Sequence, residues 1–271
     1  MKIDLTCETL RDQISKNYSH LSQKINSNFE SLCNNLTGEE NKNFYCKRIL
    51  ANIIEDTKKI CIFDIKSKKF EVKQFDYLTI NLNLSINIDH DGGDLIFLSG
   101  GKVNNSINFF SNNENNFADL SGQVTSLFVI IRWSSKSIEL NGQLIRKRAY
   151  HSSLYFNNKY FVIGGAASEN VKLKECESYN YITKQWELLP NLNFARCNPG
   201  LCVYNNEFLY VFNGWINKNE FQDTIEFINL GNYSVSNWSA FKPEDPGMAW
   251  EGFSNCGVSV IGENKILIYG G

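Results

Sequence analysis

Histidine is nearly missing from this chain of 271 residues: His20, His90 and His151 are the three that occur. With so few imidazoles, no metal set and no Ser-His-Asp or Cys-His constellation is legible from spacing, and neither a metal nor a cofactor is expected. Long apolar runs are missing too. The strongest, Leu127 to Ile131, stops at Arg132, far short of the ~18 residues that a membrane-spanning helix needs. The polar start MKIDLTCETLRDQ lacks the apolar stretch of a secretory signal. An excess of charge is absent as well: 27 Lys+Arg against 29 Asp+Glu leave a net charge of -2, which argues against nucleic acid or a membrane surface as the main partner. The eight cysteines, at 7, 33, 46, 61, 176, 197, 202 and 256, include no Cys-x-x-Cys pair. Reduced thiols, some buried as small hydrophobes, are the simplest state, and a cytoplasmic location is the expectation.

What the chain does have is repetition. The segments GGDLIFLSGG, NNKYFVIGG, NNEFLYVFNG and ENKILIYGG each run from a turn former through a short apolar stretch. They end on Gly100-Gly101, Gly164-Gly165, Asn213-Gly214 and Gly270-Gly271. The turns Gly92-Gly93, Asn157-Asn158, Asn205-Asn206 and Glu263-Asn264 suit tight hairpins, because Asn and Gly tolerate positive φ. The apolar stretches do not alternate with polar residues. Tyr160 to Ile163 and Phe208 to Phe212 are apolar throughout, as a strand covered on both faces requires. A sheet standing between two other sheets supplies that cover.

A second hairpin is readable after the glycine pairs. Tyr179 and Trp186 are separated by six residues in ECESYNYITKQW, with Glu177 two before the tyrosine. Phe110 and Phe117 repeat the spacing after Gly101, and Phe63 and Phe70 repeat it before any glycine pair. After Gly214, Glu226 keeps its place, Ile228 replaces the tyrosine and Trp238 comes three residues late. Arg148 and Arg196 sit at equivalent places ahead of the second and third repeats. Glycine pair, then Tyr-x6-Trp, resembles the kelch repeat, and the resemblance covers about residues 61–271. It implies an all-β, kelch-like β-propeller over residues 59–271, whose glycines and aromatics (Tyr179, Trp186, Trp238) build the stack instead of doing chemistry. It also implies one blade shared between the C-terminal hairpin and the first strand pair, with three blades between, at about 83–120, 150–190 and 200–242. That makes a partial propeller of about four blades, few for the resembling family, which more often has about six. Residues 118–147 fit no repeat, apart from a strand at Leu127 to Ile131 and a turn at Asn141-Gly142. The chain stops on a glycine pair, which reads as an incomplete propeller.

Residues 1–58 read as a helical segment, with a first helix over about residues 4–35 and a polar linker from Asn34 to Asn43. Leu10, Ile14, Tyr18, Leu21, Ile25, Phe29 and Leu32 recur at steps of three and four, a single apolar stripe. Two readings stand: a helix docked on its own domain, or a short coiled coil that makes a homodimer. A second short helix is expected from about Tyr45 to Lys58, with Ile49, Leu50, Ile53 and Ile54 on one side.

Asp89, Asp91 and Asp94 in DHDGGD read as turn chemistry, since the further acids of a calcium loop are missing. Arg146-Lys147-Arg148 reads as a solvated basic loop. By the kelch resemblance, the loops after the glycine pairs and those leading into each blade form one partner-docking face. The matching residues are Lys102, Asn104, Glu169, Trp215 and Asn217, joined from the lead-in side by Arg148, Arg196 and Trp250. The resemblance implies a protein-binding adaptor or scaffold without catalysis, for a protein or peptide of the ubiquitin-ligase-substrate or cytoskeletal kind. The alternative is a propeller-scaffold enzyme acting on a sugar, of the epimerase or oxidase type.

Overall fold

The computed structural model describes residues 48–54, 59–64, 69–75, 86–103, 123–168, 170–217, 220–233, 236–244 and 254–269. Among them every regular element is a β-strand, and no helix is long and apolar enough to cross a membrane. Strands β1 (Arg48–Ile54), β2 (Lys59–Asp64) and β3 (Lys69–Gln74) form a three-stranded sheet. The first four-stranded sheet opens with β4 (Asn87–His90) and β5 (Leu95–Ser99). A short ribbon of β6 (Lys102–Val103) and β7 (Gln123–Val124) follows, and then β8 (Leu127–Arg132) and β9 (Ser137–Gln143) complete that sheet. The second is β10 (Ser152–Phe156), β11 (Lys159–Ile163), β12 (Cys176–Asn180) and β13 (Gln185–Leu189), in sequence order. The third takes β14 (Gly200–Tyr204) and β15 (Phe208–Phe212), then, past the ribbon of β16 (Trp215–Asn217) and β17 (Glu220–Phe221), β18 (Ile225–Asn229) and β19 (Ser239–Phe241). The hairpin of β20 (Gly257–Ile261) and β21 (Lys265–Tyr269) stands last. All neighbouring strands are antiparallel, an arrangement consistent with a β-propeller.

Each second strand explains why its sequence is apolar without alternation. On β11, Tyr160 and Val162 pack against Phe97, Phe128 and Ile130 of the first complete sheet. Phe161 and Ile163 point the other way, onto Leu209, Val211 and Ile228 of the third. Successive side chains leave a strand on opposite faces, so a sheet clamped between two sheets buries both sets. The same holds for β5, with Ile96 and Leu98 against Ile60 and Phe75, and Leu95 and Phe97 against Tyr160. On β15, Tyr210 and Phe212 face Val258, Val260, Ile266 and Ile268 of the last hairpin. The turns behave as their composition dictates: Asn157, Asn158, Asn205 and Asn206 all adopt positive φ, between 48° and 60°. In the last hairpin the left-handed residue is Gly262, not the expected Glu263-Asn264.

Three expectations change. Part of the expected second helix is strand β1, paired through Ile49↔Phe63 and Leu50↔Ile62; its apolar and β-branched residues favour strand once a partner edge is present. The helix expected over about 4–35 lies outside the described residues. The first strand group and the last hairpin do not share a sheet. Residues 127–143 supply the outer half of the first complete sheet, and the turn there is at Trp133 to Lys136, with Asn141 and Gly142 inside β9.

Phe97 sits at the thickest part of this packing, its ring 4.9 Å from Tyr155 and 5.0 Å from Tyr160. Phe97→Ala is expected to lower stability by about 3–5 kcal/mol, measured as a shift in the urea midpoint at unchanged slope.

Candidate functional site

The glycine pairs are where successive sheets are joined. Gly164 and Gly165 adopt φ of 63° and 99°, and Gly100 and Gly101 adopt 58° and 98°, values that L side chains resist. The Gly165 N–H donates to the Arg196 carbonyl at 2.9 Å, and the Gly101 N–H to the Arg148 carbonyl at 2.9 Å. A Cβ on Gly164 would stand 2.6 Å from the Arg196 carbonyl oxygen, and one on Gly100 2.3 Å from that of Arg148. The glycines therefore admit the lead-in loop of the following sheet at backbone contact. Asn213 takes the first place of the third pair at φ 52°, with Gly214 at 100°.

Behind the second and third of these junctions lies a buried ion pair. Arg148 Nη1 donates to the carbonyls of Gly164 and Glu175, both at 2.7 Å, while Nη2 stands 2.6 Å from Glu177 Oε1. Arg196 repeats the pattern: Nη1 donates to Asn213 and Thr224 carbonyls at 2.9 Å, and Nη2 to Glu226 Oε1 at 2.6 Å. Each glutamate reaches on to a loop N–H, Glu177 to Ile145 at 2.7 Å and Glu226 to Asn193 at 2.6 Å. All four side chains are fully buried. Burial pushes both guanidinium groups down and Glu177 up, with the opposite charge offsetting each shift. Arg148 and Arg196 are thereby removed from the docking face on which the sequence placed them. Their charges are spent on backbone carbonyls, and Arg148 is not part of a solvated basic loop.

A second polar cluster sits between the first and second complete sheets. Ser99 Oγ lies 2.7 Å from His151 Nε2 and 2.6 Å from the Tyr160 hydroxyl. Burial, and then the charge of Arg148, hold His151 down to about 3, so the ring is neutral. Asp89 carries a carboxyl that burial raises to about 7, against the His90 and Tyr155 N–H groups that favour its charge. Ser99 and His151 are buried, so the contact packs two sheets together.

On the loop face, three sheets converge on one aromatic pair. Trp215 bonds Cys197 in both directions at 2.9 Å, which fixes the tryptophan beside the lead-in loop of the third sheet. The Tyr150 ring meets it edge-on, with centroids 5.9 Å apart and planes at 70°. The Lys102 ammonium lies 5.1 Å from the Tyr150 centroid, and that of Lys172 4.3 Å from Trp215. Lys102 and Trp215 each follow a glycine pair, where the second sheet has the buried Ala166. Of the sequence-predicted residues, Trp215 and Lys102 are thus brought together, while Asn217 is exposed beside them and donates to Glu220 Oε2 at 2.8 Å. Asn104, Glu169, Trp250, Gly270 and Gly271 lie outside the described residues. Tyr179, Trp186 and Trp238 pack in the sheet interfaces, Tyr179 against Trp186 at 5.3 Å. Tyr150 and Lys172 were missed. The available signal was the repeat itself, since Tyr150 follows Arg148 by the same step that Asn198 follows Arg196.

Compared with known proteins, residues 147–193 match the family described as Kelch motif. The chain carries a kelch repeat. The matched stretch holds Arg148, the Gly164-Gly165 pair, Glu177, Tyr179 and Trp186, and so coincides with the junction and ion pair of the second complete sheet. Among solved structures, YjhT superposes with a TM-score of 0.59 at 12% identity, over 79% of this chain and 67% of that one; the likeness is one of fold. No curated protein matches the chain.

Two outcomes follow for these buried groups. Glu226→Gln is expected to cost about 3–5 kcal/mol by leaving Arg196 buried without its counter-charge, and chemical denaturation checks this. Asp89 has a folded value near 7, above the usual unfolded carboxylate value, so its stabilising contribution is full below about pH 4 and is lost as pH rises to about 7. Asp89→Asn is expected to flatten the fall in melting temperature between those limits and to raise it at pH 8, by an amount equivalent to at most about 4 kcal/mol.

Proposed function

We propose that this chain is a protein-binding module without catalysis, an adaptor or scaffold that grips a protein or peptide with the loop face of a partial kelch propeller. The reading rests above all on the Tyr150–Trp215 pair, held half-buried between two lysines on the loops of three sheets. Tryptophan and tyrosine are among the side chains that dominate binding energy at protein interfaces, and a rigid backbone beneath them lowers the ordering cost of association. The buried Arg–Glu pairs and the glycine junctions provide that rigidity. A partner of the ubiquitin-ligase-substrate or cytoskeletal kind, a cytoplasmic setting and a homodimer through a helix in residues 1–58 belong to the same proposal. Unpaired Cys176, Cys197, Cys202 and Cys256 fit a reducing compartment. Pairing two loop faces would raise avidity for a repeated or clustered partner.

Trp215→Ala is expected to abolish capture of the partner by the intact chain while leaving the melting temperature within about 2 °C, since truncation at a half-exposed loop position removes little core. Retention of the same captured proteins by this variant would overturn the assignment of the face.

A further inference from the structure

Tyr150 is held at φ 56°, a left-handed conformation that a bulky side chain rarely adopts and that costs energy wherever it does. The next two repeats adopt the same conformation at the equivalent step with asparagine, Asn198 at 48° and Asn255 at 57°, where it is tolerated well. The three residues are also linked in series: the Asn198 N–H donates to the Tyr150 carbonyl at 2.7 Å, and the Asn255 N–H to the Asn198 carbonyl at 3.1 Å. The backbone at this step is therefore a shared structural device, and a tyrosine side chain is not needed to make it. What tyrosine adds is its ring, which meets Trp215 and sits under Lys102.

Among the described residues, the charged groups placed against the two rings are both ammonium groups. Lys102 and Lys172 place their ammonium groups 5.1 and 4.3 Å from the two ring centroids. The acid on the Trp215 ribbon, Glu220, is engaged by Asn217. Farther along the same sheet, Asp223 is engaged by Lys242. In a chain of net charge -2, this cationic edge is a local feature and not a general property of the surface.

We infer that the Tyr150–Trp215 shelf seats an acidic peptide segment, with an apolar or aromatic side chain against the two rings and flanking carboxylates against Lys102 and Lys172. The inference rests on the protein-binding reading and deepens it. The lysines supply charge complementarity, which steers encounter and weakens with salt, and the rings supply the desolvated contact.

The test uses fluorescence anisotropy of the full chain with a fluorescein-labelled random copolymer of glutamate and tyrosine, and with the lysine–tyrosine copolymer as the opposite-charge control. The glutamate–tyrosine copolymer is expected to bind at least tenfold more tightly, and to lose that advantage in Lys102→Glu/Lys172→Glu. Tyr150→Asn, which installs the residue of the sister repeats, is expected to hold or raise the melting temperature while weakening the copolymer about tenfold. Equal binding of the two copolymers, or unchanged binding by Tyr150→Asn, overturns the inference. Should Trp215→Ala lose the captured protein partner while the lysine double variant keeps it, the protein-binding reading stands and the acidic-segment inference falls.

Discussion

A guanidinium sealed behind the glycine junction is the interaction on which the rest of this structure depends. Arg148 and Arg196 each gather two backbone carbonyls and a glutamate into one buried cluster. An ion pair so deeply buried is expensive to form and far more expensive to break on one side. It therefore acts as a constraint more than as a source of net stability: the lead-in loop, the end of the second strand and the start of the third have one arrangement in which every charge is met. Because the carbonyls of Arg148 and Arg196 also receive the Gly101 and Gly165 N–H groups, the same cluster that orders one sheet sets the position of its neighbour. Tyr150 and Trp215 inherit their positions from that chain of contacts.

The first complete sheet is built differently, and the difference is instructive. By strand register, Val129 stands where Glu177 and Glu226 stand in the next two sheets. The carboxylate there is replaced by an apolar contact in the cluster with Ile60, Phe75 and Trp133. Ser99, in turn, stands where the second sheet has Ile163, and it reaches across to His151 and Tyr160. One sheet has traded a buried ion pair for hydrocarbon and an apolar contact for a hydroxyl. Repeats that touch only their neighbours tolerate such exchanges, since each interface is satisfied locally.

How much was legible follows from these particulars. The glycine pairs, the asparagine turns and the Tyr179–Trp186 spacing identified the second complete sheet almost residue by residue, because backbone geometry at those places admits few alternatives. The outer half of the first sheet was not legible: Ile131 pairs with Ile138 at the same spacing of six, and two isoleucines carry no signature against an apolar background. Strand β1 was misread because Ile49, Leu50, Ile53 and Ile54 satisfy a helical stripe as readily as a strand. The docking face was half legible. Arg148 and Glu177, and Arg196 and Glu226, were each visible as recurring residues, but nothing in the linear order says that they pair.

The amino-acid order alone determined the repeat, its hairpins and the apolar strands that must be covered on both faces, because turn conformation and two-sided burial are imposed locally by residue type. Only the tertiary structure decided which charged residues face solvent. Residues nearly thirty positions apart meet when a third strand is laid beside a second, and that meeting drew two arginines inward. The loops of three sheets, brought together by the same packing, gathered a tyrosine, a tryptophan and two lysines on one loop face.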